Sequence, residues 1–388
     1  MKFFHTADWH LGKLVQGVSM TEDQDYVLEQ LLRDIERERP DAVIIAGDLY
    51  DRAIPPTDAV ELLDRVLGRI VLDLETPVLA ISGNHDSPDR LGFATRIMEG
   101  RGLHLAGQLQ AQPRTVELRD AHGPVHIHLV PYADPAMVRF TYGDDRIRTH
   151  DDAMAAIVAR IAASMDASAR HVLVGHAFVT PGGEPQANTS ESERPLAIGG
   201  AEYVRDAHFR AFHYTALGHL HQAHYVGSET IRYAGSPLKY SISEERHHKG
   251  YTLVELDGDG AVRLDKRAFA PRRELRSVQT TAAELEAGAD GSEDYVFVTL
   301  LDEDPVLFPM EKVRARYPNA LHVQRRSPSA SPAEEGGEQG LSRAERDPGE
   351  LFASFYREVK GAPLDAAKAE LFASVYAEAL RAEGGDGR

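Results

Sequence analysis

Asp41-Ala42-Val43-Ile44-Ile45-Ala46-Gly47-Asp48-Leu49-Tyr50-Asp51 is an apolar run that stops at a glycine and then at two carboxylates three residues apart. Its five central residues are aliphatic and β-branched in the middle, so they read as a strand buried on both faces. The plan recurs along the chain. Pro77-Val78-Leu79-Ala80-Ile81-Ser82-Gly83 leads to Asn84-His85-Asp86, and His171-Val172-Leu173-Val174-Gly175 leads to His176. Asp8-Trp9-His10 follows a buried strand at 2–6, and Gly218-His219-Leu220-His221 follows one at 214–217. Asp8 and His10 are two residues apart, so in extended chain they point the same way, and His219 and His221 repeat that geometry.

Taken singly, each motif has a bland explanation. An acidic residue after a strand caps a helix, and a lone histidine is commonly a satisfied polar group. Together they form a constellation. Polar residues at the carboxyl ends of several strands in an open α/β sheet converge on one crevice. Asp8, His10, Asp48, Asn84, His176, His219 and His221 supply carboxylate, amide and imidazole, and the chain has no cysteine. Such a donor set suits two divalent ions, manganese or iron(II), better than a structural zinc. A carboxylate can bridge two ions, and Asp48 is the natural candidate. Two ions about 3.5–4 Å apart clamp the attacking and leaving oxygens of an in-line phosphoryl displacement.

These five motifs, D-x-H, GDxxD, GNH[DE], GH and GHxH, resemble those of the calcineurin-like metallophosphoesterases. The wording is closer still to the bacterial SbcD nuclease subunits. His5-Thr6-Ala7-Asp8-Trp9-His10-Leu11-Gly12 resembles their opening, and Ser82-Gly83-Asn84-His85-Asp86-Ser87-Pro88-Asp89-Arg90-Leu91 their third motif. Ser192-Glu193-Arg194-Pro195 and Ile198-Gly199-Gly200 are of the same type. The resemblance is strong to residue 255, weaker to 326, and returns at the C-terminal end. It implies that Asp8, His10, Asp48 and His221 hold one metal and Asp48, Asn84, His176 and His219 the other. It implies two divalent ions, with Mn2+ favoured. His85 would contact the scissile phosphate as general acid, work suited to imidazole near neutral pH. Asp51 would orient His85, although archaeal relatives carry a histidine at that place. Asp86 reads as a turn or helix cap. His104, His122, His126, His128, His208, His213, His224, His247 and His248 fall outside the motifs and take surface or strand-packing roles.

The activity implied is 3′→5′ exonuclease on duplex ends and endonuclease on single strands or hairpins, in DNA repair and recombination. The partners implied are DNA, an SbcC-type SMC-like ATPase, and a second copy of the chain in a homodimer. A phosphodiesterase or phosphatase acting on small molecules or phosphoproteins is the alternative, but it does not need the appended C-terminal segments. An idle scaffold is disfavoured because every ligand position is intact.

Composition bounds the reading. The chain has 388 residues, 42% of them hydrophobic, which is ample for a sizeable core and two or three domains. The lack of cysteine excludes disulfides and thiolate chemistry and fits a reducing cytoplasm. The opening residues start a strand with no apolar leader, and no run of about 18 apolar residues exists, so no membrane span is expected. A net charge of -18 should repel a phosphate backbone. Against that trend, residues 263–276 carry six basic side chains and two acidic ones, and Lys312, Arg314, Arg316, Arg325 and Arg326 form a second basic stretch. A solvated face is the ordinary meaning of such runs, and a DNA-guiding surface the functional one.

The fold expected is α/β: a two-sheet metallophosphoesterase sandwich flanked by helices, with a small α+β capping domain and a C-terminal helix pair. Strands at 42–46, 78–81, 125–130, 172–174, 214–217, 223–227, 230–234 and 251–256 join the one at 2–6. Helices span Met20 to Arg39, capped by Thr21, and Pro55 to Leu72. The domains expected are a nuclease domain at 1–269, a DNA-capping domain at 270–326, a flexible linker at 327–346 and an ATPase-binding helical segment at 347–388. Residues 181–200 form a long loop rich in Gly, Pro, Ser and Glu. Leu62 to Ile70 and Leu91 to Met98 form either a core-facing stripe or a dimer face. Leu351, Phe352, Phe355, Tyr356 and Val359 share one face of the first C-terminal helix. Leu371, Phe372, Val375, Tyr376 and Leu380 share one face of the second.

Overall fold

The strand Ala42–Ala46 is buried along its whole length. Its side chains alternate between two cores, as the pleat requires. Val43 and Ile45 join Phe4 and Val78 under helices, while Ile44 joins Phe3, Leu79 and Ile81 between two sheets. This is a computed structural model, and it describes residues 1–184, 190–193, 202–286, 288, 292–302, 304–326, 348–360 and 363–383.

The first sheet has six strands. Lys2–Thr6, Ala42–Ala46, Val78–Ile81 and Leu103–Ala106 run parallel, and Gly250–Leu256 and Val262–Ala268 extend it antiparallel beyond the first strand. The second sheet orders its strands Tyr225–Val226, Ser228–Tyr233, Tyr214–Gly218, Arg170–His176, Gly123–Val130 and Arg114–Asp120. Its four central strands are parallel. Val125, Ile127, Leu129, Val172 and Val174 of this sheet face Phe3, Ile44 and Leu79 of the other. Helices Thr21–Glu38 and Thr57–Gly68 cover the outer face of the first sheet through Val27, Leu31, Ile35, Leu62 and Val66. Helix His150–Ala162, started by a Thr149–Asp152 capping box, covers the second through Met154, Ile157 and Ile161. The layered α/β sandwich is the one expected.

Several local expectations change. Thr21 is the first helical residue and not the cap; Met20 occupies the cap position without a side-chain bond. The Thr21 hydroxyl donates instead to Asp58 Oδ2 at 3.0 Å. The second helix leaves α geometry at Arg69–Asp73 and closes with one π-turn, which buries Ile70 and Val71. Its apolar stripe, Leu62, Leu63, Val66, Leu67 and Ile70, packs into the core. In the segment after it, Phe93 and Ile97 are about four-fifths exposed.

The basic run is largely balanced. Arg267 pairs with Asp265 and Glu38, Arg272 with Glu22, Arg273 with Asp23, and Arg276 with Asp294. In the second stretch, Lys312 pairs with Glu286 at 3.0 Å.

The chain divides into two compact units. One comprises Met1–Ser277, Gly291–Phe297 and Tyr317–His322; the other comprises Val278–Asp290, Val298–Arg316 and Val323–Arg388. Leu275–Thr280, Tyr295–Leu300 and Ala320–Arg325 form a three-stranded sheet, and helix Pro309–Arg316 lies between the last two in sequence. The linker expected at 327–346 lies outside the described residues, as do Arg194, Pro195 and the Ile198-Gly199-Gly200 stretch. Helices Pro348–Lys360 and Ala366–Glu383 pair through Phe352 and Phe372, whose rings stack at 4.0 Å. Phe355, Leu371 and Val375 are more than half exposed. The side chains of Leu351, Val359 and Leu380 lie outside the described set. Among the described residues no helix is long and apolar enough to cross a membrane.

Candidate metal centre

Parallel strands deliver their following loops to one edge, and here both sheets do so side by side. Asp8 follows the strand ending at Thr6, Asp48 the one ending at Ala46, and Asn84 the one ending at Ile81. His176 ends its own strand in the second sheet, and His219 and His221 follow the neighbouring one. The sheets touch closely at this edge. A Cβ on Gly218 would lie 1.9 Å from the Ala46 carbonyl oxygen. Gly47 holds φ +93°, and a Cβ there would meet His176 Nδ1 at 2.3 Å. Neither position admits a side chain.

The loops are strained. Asp8, His10, Asp48 and His219 adopt φ of 54°, 45°, 50° and 106°. Left-handed backbone costs a non-glycine residue on the order of 1–2 kcal/mol, and such strain gathers at functional sites. Hydrogen bonds offset it. Asp8 N donates to Gly47 O at 3.0 Å and His10 N to Asp48 O at 2.9 Å. Gln24, buried in the first helix, donates its amide to Trp9 O and His10 O at 3.0 and 2.8 Å and accepts from Gly12 N. The Tyr240 hydroxyl also donates to Trp9 O. Sequence reading missed Gln24; an amide on the buried face of an amphipathic helix was the available signal.

All seven candidate ligands meet in one connected group. His10 Nε2 lies 3.0 Å from His221 Nε2 and 3.6 Å from Asp48 Oδ2. His176 Nε2 lies 3.4 Å from Asp48 Oδ2 and 2.9 Å from Asn84 Oδ1. Asn84 Oδ1 is also 3.3 Å from His219 Nδ1, and Asp8 Oδ1 accepts from His219 N at 2.9 Å. His176 Nδ1 donates to Ala46 O at 2.9 Å, which fixes Nε2 toward the centre.

Burial and close charges shift the titratable groups of the site. Burial pushes the Asp8 carboxyl well above its ordinary pKa. Burial would push Asp48 up too, but His176 holds it well below. Burial also opposes a proton on His176, yet Asp48 outweighs that and raises its pKa to about 9. His10, His219 and His221 are all lowered, by burial above all, which leaves the neutral imidazole that metal ligation requires.

The residues fit a metal. Asp8 Oδ2 is buried without a hydrogen-bond partner among the described residues. Such groups are costly unless something unseen satisfies them. Among the described residues, two trios have ligand atoms within 4.8 Å of one another: Asp8, Asp48 and His176, and His10, Asp51 and His85. These cut across the two ligand sets that the resemblance implies, since His85 and Asp51 were expected to stand off the metals.

His85 sits against the group, its ring 4.6 Å from that of His10, and its backbone N–H donates to Asp48 Oδ1 at 2.9 Å. Its Nδ1 donates to Asp51 at 2.7 Å, but to the backbone carbonyl. The Asp51 carboxylate instead takes Lys13 Nζ at 2.8 Å and faces His10 Nδ1 at 3.6 Å. Burial opposes its charge, but the His10 ring and Lys13 hold its pKa low. Asp86 ties two loops together by accepting from Leu49 N, Tyr50 N and Gly83 N at 3.1, 2.9 and 2.9 Å. Among the histidines outside the motifs, His128 stacks on His171, and Thr115 bonds its Nδ1 at 2.9 Å.

Strands, strained loops and donor set together define a metallophosphoesterase. Residues 1–159 match the family model of the calcineurin-like phosphoesterases, and residues 271–360 match that of the type 5 capsule protein repressor C-terminal domain. The SbcD subunit of the SbcCD nuclease of Staphylococcus epidermidis is 34% identical over 327 residues, covering 83% of this chain and 84% of that one. A dimetal phosphatase from Danio rerio aligns at 13% identity with a TM-score of 0.42, over 70% of this chain and 97% of its own. The chain belongs to the SbcD nuclease-subunit family.

Proposed function

We propose that this chain is the DNA-cutting subunit of an SbcCD-type complex. The observation that carries the proposal is the convergence of Asp8, His10, Asp48, Asn84, His176, His219 and His221 on one crevice in a chain of this family. Asp8, His10, Asp48 and His221 would hold one divalent ion, and Asp48, Asn84, His176 and His219 a second, with Mn2+ favoured by the donor set. When bound, such ions supply Lewis-acid stabilisation to the charge that develops on a phosphodiester. His85 serves as general acid. Donation of its Nδ1–H to the Asp51 carbonyl fixes the ring, and Nε2 is then the atom that carries the proton to the leaving oxygen. The substrates are duplex ends, cut 3′→5′, and single strands or hairpins, in repair and recombination in the cytoplasm. Residues 270–326 cap the DNA. Exposed Phe93 and Ile97 offer an apolar patch for a homodimer.

With MnCl2, the purified protein should cut a DNA hairpin and leave a phosphopeptide and a cyclic nucleotide untouched. Turnover of either alternative substrate without DNA cleavage would contradict the assignment.

Arg267, Arg272, Arg273 and Arg276 of the basic run are ion-paired and the net charge is -18, so tight DNA binding would come with the ATPase partner. Residues 347–388 would dock on it, through a surface that includes exposed Phe355 and Leu371. Deletion of 347–388 should leave cleavage of small DNA substrates within a few-fold of the full chain and abolish co-purification with the ATPase. Phe355→Glu should do the same to co-purification. Undiminished co-purification would place the docking surface elsewhere.

A further inference from the structure

His221 is held from behind by a buried charge pair. Its Nδ1 lies 3.0 Å from Glu244 Oε1 and 2.8 Å from Ser192 Oγ, and its backbone N–H donates to Glu193 Oε1 at 2.6 Å. Glu244 is fully buried. Its second oxygen faces the ammonium of Lys249, which also donates to His221 O at 2.9 Å and to Ser236 Oγ at 2.7 Å. Ser190 Oγ donates to Glu244 Oε1 at 3.1 Å. A carboxylate in an interior is tolerated when it is paired and hydrogen-bonded, and this one is both. Glu244 comes from a short 3-10 turn, Ile242–Glu244, in a part of the chain that holds no metal motif.

We propose that Glu244 is a positioning residue for the metal centre, an inference that rests on the reading of His221 as a ligand. By accepting a hydrogen bond from Nδ1–H, Glu244 selects the tautomer whose Nε2 lone pair faces His10 and would be free to hold an ion. Lys249 neutralises Glu244, so the carboxylate needs no proton of its own. Ser192 and Glu193 connect part of the long loop between the fourth and fifth motifs to the same histidine, and Ser190 connects it to Glu244. Outer partners of this kind typically tune metal affinity by about 10–100-fold.

The test is calorimetry of Mn2+ binding to the full chain, with native mass spectrometry to count ions and thermal unfolding of the metal-free protein to check the fold. Wild type should bind two ions. Glu244→Gln should weaken one of them by about 10–100-fold and leave the other within a few-fold. The double variant Glu244→Gln, Lys249→Met removes the lysine left without its partner, and should show the same selective loss. Glu244→Asp keeps a carboxylate for Lys249 but withdraws it from His221 Nδ1, and should weaken the same ion a few-fold, so it decides the matter if the other variants do not fold. Unchanged affinities, equal weakening of both ions, or recovery in the double variant would overturn the role of Glu244. A wild type that binds fewer than two ions would instead contradict the metal reading, and the positioning role with it.

Discussion

His85→Ala should lower the rate of DNA cleavage by about 10²–10⁴-fold, the range general acid catalysis contributes, while both metal ions stay bound. His85 is buried beside the ligand group and donates Nδ1–H to the Asp51 carbonyl at 2.7 Å. That bond fixes the ring without using its other nitrogen. The backbone N–H of residue 85, which steadies Asp48, survives the substitution. Loss of rate with intact metal content would therefore isolate proton delivery. The comparison is single-turnover cleavage against metal counts on the same preparations. Activity within a few-fold of wild type would remove His85 from the chemistry, and loss of an ion would make it a ligand.

Asp48→Asn should damage metal binding more than Asp8→Ala does. Asp48 Oδ2 lies between His176 Nε2 at 3.4 Å and His10 Nε2 at 3.6 Å, one from each proposed ligand set. Loss of its charge therefore reaches both ions. The amide keeps the shape, and its oxygen can still accept from His85 N–H, so the loop should persist. Affinity for at least one ion should fall by more than the roughly 100-fold that marks the upper range for an outer partner. Calorimetry and metal counting would show it. Full occupancy of both sites in this variant would reject the bridging role.

The layered core was legible because its central strands are buried on both faces and read as unbroken apolar runs, with Ala42–Ala46 and Val78–Ile81 recovered to the residue. Two edge strands, Arg114–Asp120 and Val262–Ala268, were not: they are largely polar with partial alternation, so their sequences lack a clear apolar period. The helix His150–Ala162 was also missed, although its capping box is visible in the sequence. The candidate ligands stood out because each follows a strand and a chain of this class needs such donors. The groups that hold them did not. Gln24 reaches the first loop from a helix, and Glu244 reaches His221 from a turn 23 residues away. Only tertiary structure makes those pairings. The same holds for Arg273, whose carboxylate partner Asp23 is 250 residues distant, and which sequence alone assigns to a bare basic run. Asp51 was expected to orient His85, with no atom specified; the contact runs through its backbone carbonyl, and one-letter motifs carry no information about which atom of a residue is used.

The most direct measurement is anomalous diffraction from a crystal of the protein soaked in Mn2+. The account predicts two peaks in the crevice. One should be contacted by Asp8, His10, Asp48 and His221, the other by Asp48, Asn84, His176 and His219, with Asp48 touching both. A single peak, or a peak held by His10, Asp51 and His85, would contradict it.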